Sequence, residues 1–180
     1  DAKGFPIAME NKSTRGRRAS SIHKLAKNHV LHQARLKVSL PGGALRAPGH
    51  NETVFLNDFV IDCMAAQAQI DALQYRLALY GDQQSMDKLG WTTSAHDDPE
   101  KVALLKKVAD MAGWKKDDKY GYGIAYFDGY ESKCAVIALA PKKKGGKLIE
   151  KFYAAVDCGL VVNPSGAIAQ VSGGLLDGLG

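Results

Sequence analysis

Cysteine is scarce in this 180-residue sequence, which holds three: Cys63, Cys134 and Cys158. The count is odd and no two lie at CxxC spacing, which argues against a disulfide framework and against a structural zinc site. We therefore expect the three side chains to be small, buried and apolar in behaviour. The five histidines form neither an HxxxH nor an HExxH pattern, so no metal site is predicted from them.

Long apolar runs are also missing. The run Cys134–Pro141 has only the length of a strand, far short of the roughly 20 residues that cross a membrane, and no signal-peptide pattern opens the chain. GxSxG and P-loop motifs are absent, and Gly121-Tyr-Gly123 is half of a dinucleotide fingerprint in the wrong context, before a strand. What is there, 46% hydrophobic and 24% charged residues, is typical of a globular domain.

Positive charge is concentrated at the start of the chain. Residues 1–50 hold ten Lys and Arg against two acids, a net +8, whereas the remainder holds 14 against 17, a net −3. This basic segment could bind nucleic acid or another polyanion, or it could face an acidic neighbour. Phe5 is its only aromatic residue, which disfavours single-strand binding by base stacking.

The first segment, residues 1–50, is predicted to contain strands and loops. We expect a short strand over Ala2–Met9, a polar loop over Asn11–Ser21 and an alternating strand over Arg35–Leu40. Residues Ile22–Gln33 are compatible with either a helix or a strand.

The second segment, residues 51–114, is predicted to be helical. Asn51 is expected to cap a first helix, and a second is expected over Asp71–Leu79. Pro99, after an Asp98 cap, starts a third helix that Gly113 ends, and Asp82–Asp97 reads as a polar connection. The first helix should bury one wide apolar stripe: Phe55, Leu56, Phe59, Val60, Cys63 and Met64.

The third segment, residues 121–180, is predicted to be a meander of strands followed by a glycine-rich helix. Strands are expected over Tyr122–Phe127, Lys133–Ala140 and Leu148–Asp157, with a lysine-tipped turn between the second and third. The helix is expected over Ser165–Gly180. The fold class that follows is α+β, a mixed or antiparallel sheet with packed helices.

Two features could carry chemistry. The loop Gly42–Gly49 is a rigid turn before a helix, and it presents Arg46 as a fork-shaped donor; the alternative is a plain structural turn. The other feature is a strand end, Asp157-Cys158-Gly159, followed by a helix in which Gln170 precedes Gly173-Gly174. The Gln170 amide could bond the edge of a heterocycle, or it could be an ordinary surface residue.

Together these residues resemble the molybdenum hydroxylases, the xanthine dehydrogenase and aldehyde oxidase family, and in particular its isoquinoline 1-oxidoreductase β-subunit-like branch. The likeness is carried by Leu45-Arg46-Ala47-Pro48-Gly49, by the Phe/Asp-rich helix, by Asp71 with Arg76, and by Val156-Asp157-Cys158-Gly159, Asn163-Pro164 and Gln170-Val171-x-Gly173-Gly174. It departs from the family at Ser172, where Glu is usual, and at Asp58 and Ala72, where Glu and Pro are usual.

The resemblance implies a partial molybdopterin-binding domain over residues 1–180. It assigns Arg46, Ala47 and Gln170 to the cofactor and Leu45 and Pro48 to the substrate funnel. It implies molybdopterin with molybdenum, in the cytosine dinucleotide form, and [2Fe-2S] clusters on a partner subunit or domain. The substrate would be an aldehyde or an aromatic N-heterocycle, oxidised with oxygen from water.

The same resemblance implies that the chain is a fragment. The family's upstream glycine-rich loops and its downstream catalytic glutamate are missing, so we expect no catalytic residue here and no hydroxylation by the chain alone. The expected partners are the remainder of the large subunit, an iron-sulfur small subunit and a small-molecule substrate, with nucleic acid and a membrane span not expected. The alternative is a non-catalytic structural or polyanion-binding domain.

Overall fold

The computed structural model describes residues 1–13, 26, 28–33, 47, 50–143 and 145–179. Within them the chain has an α+β fold, as predicted. The strands are β1 Ala8–Ser13, β2 Asn28–Gln33, β3 Tyr120–Gly129, β4 Ser132–Pro141 and β5 Lys151–Asp157. The helices are α1 His50–Gln67, α2 Ala72–Leu79, α3 Gln83–Leu89, α4 Pro99–Ala112 and α5 Pro164–Asp177. No helix in the described ranges is both long and apolar enough to cross a membrane.

The chain divides into two compact units, residues 1–102 and 103–180. In the first unit β1 and β2 pair in parallel, with Ala8 opposite Asn28. The strand predicted over Ala2–Met9 is wrong for most of its length, and β1 runs into the predicted loop. The reason is local: the Asp1 carboxylate accepts the N–H groups of Lys3 and Phe5, both at 2.9 Å, and bends the chain into a turn. The strand predicted over Arg35–Leu40 lies outside the described residues.

The first residues of the chain are held to the helical part of this unit by three bonds. Trp91 Nε1 donates to the Lys3 carbonyl at 2.8 Å, the Tyr75 hydroxyl donates to the Gly4 carbonyl at 2.9 Å, and Lys3 Nζ donates to the Gly90 carbonyl at 2.7 Å. The Trp91 ring stands edge-on to Tyr75, with ring centroids 5.4 Å apart. Burial raises the pKa of Tyr75 to about 12.

Helix α1 begins at His50, so Asn51 lies inside the helix and the predicted cap is wrong. The predicted buried stripe is also wrong, because Phe55 is 67% exposed and Phe59 is 54% exposed. The side that packs carries Asp58, Ile61, Asp62 and Ala65, which follow one another at i, i+3, i+4 and i+7. The physical cause is a buried arginine on α2, described below.

Helices α2 and α3 each begin after an aspartate that caps the helix. The Asp71 carboxylate accepts the N–H groups of Leu73 and Gln74, both at 3.0 Å, and α2 follows as predicted. Helix α3 was missed, since Asp82–Asp97 was predicted to be a connection. It is capped by Asp82, whose carboxylate accepts the N–H of Ser85 at 3.1 Å.

Helix α4 begins at Pro99, as predicted, and the Asp98 carboxylate accepts the N–H of Lys101 at 3.0 Å. Gly113, with a φ of 58°, follows its last residue.

In the second unit the predicted meander is confirmed: β3, β4 and β5 form an antiparallel sheet in that order. The turn before β5 is longer than predicted, because β5 starts at Lys151 rather than at Leu148.

The two faces of this sheet differ in burial. Side chains at alternate positions are buried, namely Ile124, Tyr126, Ala135, Ile137, Leu139 and Ala155. Ala112 and Gly113, at the end of α4, line one cleft with Tyr122 and Leu139 of that face. Leu105 and Val108 of α4 are also fully buried.

Candidate functional site

The first predicted site is the loop before α1. Leu45, Arg46 and Pro48 lie outside the described residues, so their predicted roles stay predictions. Ala47 is described: its backbone φ is 54°, in the left-handed region, and its carbonyl accepts the N–H of His50 at 3.0 Å. The chain has left-handed backbone at Ala47, and the 18-residue helix α1 begins at His50. The free N–H groups of a helix start favour anions.

The second predicted site begins where β5 ends. The Asp157 carboxylate accepts the N–H of Gly159 at 3.2 Å, and Gly159 has a φ of 69°. The Asn163 side chain then caps α5 by accepting the N–H of Gly166 at 3.0 Å, and Pro164 occupies the first helical position. The sequence pattern Asp-Cys-Gly, Asn-Pro therefore encodes a strand, a polar turn and a capped helix in succession.

Gln170 lies on α5 and its side chain is exposed. Gly173 and Gly174 follow three and four residues later, so they share its helix face. A Cβ atom built on either glycine would meet no other atom within 4 Å. The Gln170 amide consequently lies beside a strip of accessible backbone, which a flat ligand or a neighbouring chain segment could approach closely.

Ala47 belongs to the first unit and Gln170 to the second, and each is described here within its own unit. In the described part of the chain, no group of three or more His, Cys, Asp or Glu side chains could hold a metal ion. The three cysteines are free thiols. The expectation that they are buried is wrong for Cys63 and Cys158, which are exposed, and Cys134 is half-buried.

A charged cluster between α1 and α2 was missed by the sequence reasoning. Arg76 is fully buried, and its Nη1 donates to the Asp62 carboxylate at 2.6 Å. Its Nη2 and Nε donate to one Asp58 carboxylate oxygen at 3.0 and 3.3 Å, and Nη2 also donates to the Asp58 carbonyl at 3.2 Å. The guanidinium therefore ties two turns of α1 to α2.

Nearby carboxylates keep the Arg76 guanidinium charged. Burial disfavours the charge on Arg76, but the carboxylates of Asp58 and Asp62 outweigh that effect and raise the pKa of the guanidinium. The signal for the cluster was present in the sequence as two carboxylates at i and i+4, followed by an arginine in the next helix. It was overlooked because the more numerous apolar residues of α1 suggested the opposite side.

A cleft of about 290 Å³ opens at the end of α4 in the second unit. Three tyrosines line it, together with lysine and acidic side chains, and Lys151 Nζ lies 4.6 Å from the centre of the Tyr153 ring. None of the residues predicted from the sequence to form a site lines this cleft. Lysine, acidic and aromatic side chains of this kind are common in surface clefts, so they identify no single ligand.

Comparison with known proteins gives one distant relationship. No protein-family model matches the sequence. The chain is 22% identical over 142 residues to the isoquinoline 1-oxidoreductase subunit beta of Brevundimonas diminuta. The alignment takes in 75% of this chain and 16% of that protein, so the chain spans about a sixth of the length of the relative it matches. The sequence is thus distantly similar to one subunit of an oxidoreductase.

Proposed function

We propose that this chain is part of the large subunit of a molybdenum hydroxylase of the xanthine dehydrogenase and aldehyde oxidase family. The enzyme would oxidise an aldehyde or an aromatic N-heterocycle with oxygen from water. The proposal is supported by the distant similarity to an isoquinoline 1-oxidoreductase subunit and by the order of the two motifs along the chain. The role of the 180 residues would be to supply part of the cofactor site and of the substrate funnel.

The observation that carries the proposal is the geometry around Gln170. The motif residues that resemble the family form a strand, a tight turn and a capped helix, and this helix presents an exposed amide beside two open glycines. A carboxamide offers both donors and an acceptor, which matches the alternating donors and acceptors at the edge of a pterin. At Gly173 and Gly174 a built Cβ atom has no neighbour within 4 Å, so the backbone beside that amide is accessible.

These features fit molybdopterin as a ligand. When bound, the cofactor would supply the redox chemistry of the reaction. Gln170 would hold the pterin edge in one orientation by hydrogen bonds, while the glycines would allow close approach. In the first unit, the Arg46 side chain and the Ala47 turn would contact the cofactor, and Leu45 and Pro48 would line the path of the substrate.

The remaining functions would come from other parts of the enzyme. This chain carries no residue to which we assign the role of general base, so the rest of the large subunit would provide it. The cofactor would be the cytosine dinucleotide form of molybdopterin. An iron-sulfur small subunit with [2Fe-2S] clusters would accept the electrons.

The test uses the complete large subunit, expressed with its small subunit, and compares Gln170→Ala with Gln84→Ala. Gln84 is also an exposed glutamine on a helix, which makes it a matched control. Loss of one hydrogen bond, about 0.5–1.5 kcal/mol, predicts roughly a two- to tenfold loss of pterin retention on dialysis for Gln170→Ala. Pterin fluorescence and molybdenum content are the readouts, and equal retention by both variants would contradict the proposal.

A further inference from the structure

The positive charge of the second unit is concentrated in two short segments. Residues 115–119 and 142–151 hold eight lysines against three acids, a net +5. The rest of residues 103–180 holds three lysines against five acids, a net −2. Lys144 lies outside the described residues. We call the surface formed by the described part of the two segments the lysine end.

The two segments lie side by side at one end of the sheet. Strand β3 begins directly after the first segment and β4 ends directly before the second, and these two strand ends pair with each other. The Lys142 N–H donates to the Lys119 carbonyl at 3.0 Å. Lys116, which follows α4, and Lys151, the first residue of β5, line the same cleft. The lysine end is therefore one surface rather than two separate loops.

Most of the charge on this surface is not neutralised. Lys147 Nζ lies 3.5 Å from Glu150 Oε1, and both side chains are exposed. Four further exposed lysines have no ion pair within the described part of the chain, namely Lys116, Lys119, Lys142 and Lys143. Like charges held this close repel one another, and an anionic partner would relieve that repulsion.

The chemistry of the lysine end fits a diffuse negative surface better than a shaped one. Residues 103–180 contain no arginine. Arginine recognises phosphate and carboxylate in a fixed bidentate geometry, whereas lysine acts as a flexible point charge. Interfaces between proteins are also poor in lysine. Lysines without arginine suit the headgroups of an anionic bilayer, which attract positive charge without requiring a fixed geometry.

An apolar side chain stands among these lysines. Leu148 is 73% exposed and follows Lys147 directly in the turn before β5. A bilayer can bury such a side chain at its apolar boundary while the lysine ammonium groups stay at the level of the headgroups. A nucleic acid backbone offers no comparable apolar layer. Leu148 therefore favours a bilayer over a nucleic acid as the partner.

We propose that the lysine end binds the surface of an anionic lipid bilayer, with its lysines at the phosphate headgroups and Leu148 inserted just below them. The lysine end lies where β5 starts, and the turn at Asp157 lies where β5 ends. At roughly 3.3 Å per residue these two places are about 20 Å apart along the strand. Binding to a bilayer thus involves a different surface from the turn at Asp157, and it does not depend on the proposed cofactor.

Vesicle sedimentation tests the inference. The 180-residue chain is mixed with vesicles of phosphatidylcholine alone or of equal parts phosphatidylcholine and phosphatidylglycerol, and the bound fraction is measured after centrifugation. Each lysine at an anionic bilayer strengthens binding roughly fivefold, so the double change Lys142→Gln and Lys143→Gln should weaken binding to the mixed vesicles about 25-fold. The matched control changes two adjacent exposed lysines of α4, Lys106→Gln and Lys107→Gln, and should weaken binding less than about threefold.

The part played by Leu148 is tested against Leu160, which is 91% exposed beyond the other end of β5. Leu148→Ser should weaken binding to the mixed vesicles roughly tenfold, and Leu160→Ser should leave it unchanged. Equal binding to both kinds of vesicle, no binding to either, or no loss with Lys142→Gln and Lys143→Gln would overturn the inference. Binding to a single-stranded oligonucleotide in place of the vesicles, unaffected by Leu148→Ser, would overturn it in favour of nucleic acid.

Discussion

Arg76 is bound to Asp58 through two guanidinium nitrogens, Nη2 at 3.0 Å and Nε at 3.3 Å, although the two residues lie 18 positions apart. Arg76 is fully buried, and the side chain of Asp58 is only 14% exposed. A pair of this kind contributes little net stability when compared with apolar residues, but removing one partner leaves a charge uncompensated. The pair therefore sets which side of α1 faces α2.

The first prediction is that Arg76→Met destabilises the first unit by about 3–5 kcal/mol, because the Asp58 carboxylate is left without its main counter-charge. Urea unfolding followed by Trp91 fluorescence, in a Trp114→Phe background, measures the change. Lys88→Met, at an exposed position of α3, is the matched control and should change the free energy of unfolding by less than about 0.5 kcal/mol. A loss below about 1 kcal/mol for Arg76→Met would contradict the role given to the pair.

The second prediction concerns high pH. Because the pKa of Tyr75 is about 12 in the folded chain and its ordinary value is 10.0, the folded state keeps the phenol proton that the unfolded state loses. Stability from this source is complete below pH 10 and declines as pH rises from 10 to about 12, by about 2–3 kcal/mol.

Tyr75→Phe should lack this decline, whereas Tyr130→Phe, at a residue that is 69% exposed, should retain it. Urea unfolding at pH 9, 10 and 11 measures the difference between the variants and the unaltered chain. An identical pH profile for Tyr75→Phe and the unaltered chain would refute the assignment. At pH 7, Tyr75→Phe should cost about 1 kcal/mol through the lost bond to the Gly4 carbonyl.

The third prediction separates the thiols. Cys63 and Cys158 are exposed, while burial raises the pKa of Cys134 and so reduces its thiolate fraction. An Ellman titration of the native chain at pH 8 should therefore show two fast thiols and one slow thiol. Cys134→Ser should remove only the slow phase, and loss of a fast phase would show that the burial is assigned to the wrong cysteine.

The fourth prediction uses the glycines of α5. Gly173→Ala should stabilise the 180-residue chain by about 0.5–1 kcal/mol, since alanine is the better helix former and its Cβ meets no atom. In the complete, cofactor-loaded subunit the same change should weaken pterin retention, because the added methyl group would stand where the cofactor approaches. Thermal unfolding and pterin release measure the two effects.

Ser172→Ala, at an exposed position on the same helix, is the control for Gly173→Ala and should leave pterin retention unchanged. If Gly173→Ala stabilises the short chain and leaves retention intact, the glycine does not contact the cofactor.

The fifth prediction is that the purified 180-residue chain hydroxylates nothing. A redox-dye assay with aldehydes and N-heterocycles should give no turnover, and elemental analysis should give no stoichiometric molybdenum. Turnover accompanied by one molybdenum per chain would refute the view that the rest of the large subunit is required.

Interactions within a few residues were predictable from the sequence. The start of α4 at Pro99, behind the Asp98 cap, depends on a side chain and the next backbone N–H groups, and it is confirmed. The caps at Asp71 and Asn163 are of the same local kind, although only the helices that follow them were predicted. The α+β class and the order of the β3–β4–β5 meander were predictable from the alternation of polar and apolar residues and from the turn residues, which are also local features. The turn at Asp1, which replaces a predicted strand, is also local, because the Asp1 carboxylate accepts backbone N–H groups two and four residues later.

The orientation of α1 was decided by tertiary structure. Its sequence contains both an apolar stripe with Phe55 and Phe59 and a row of carboxylates with Asp58 and Asp62, and either side could have faced the core. Burying the Arg76 guanidinium requires carboxylates at hydrogen-bond distance, and only one rotation of α1 supplies both. Local patterning therefore predicted that the helix exists, whereas the need to neutralise a buried charge from another helix determined which side it buries.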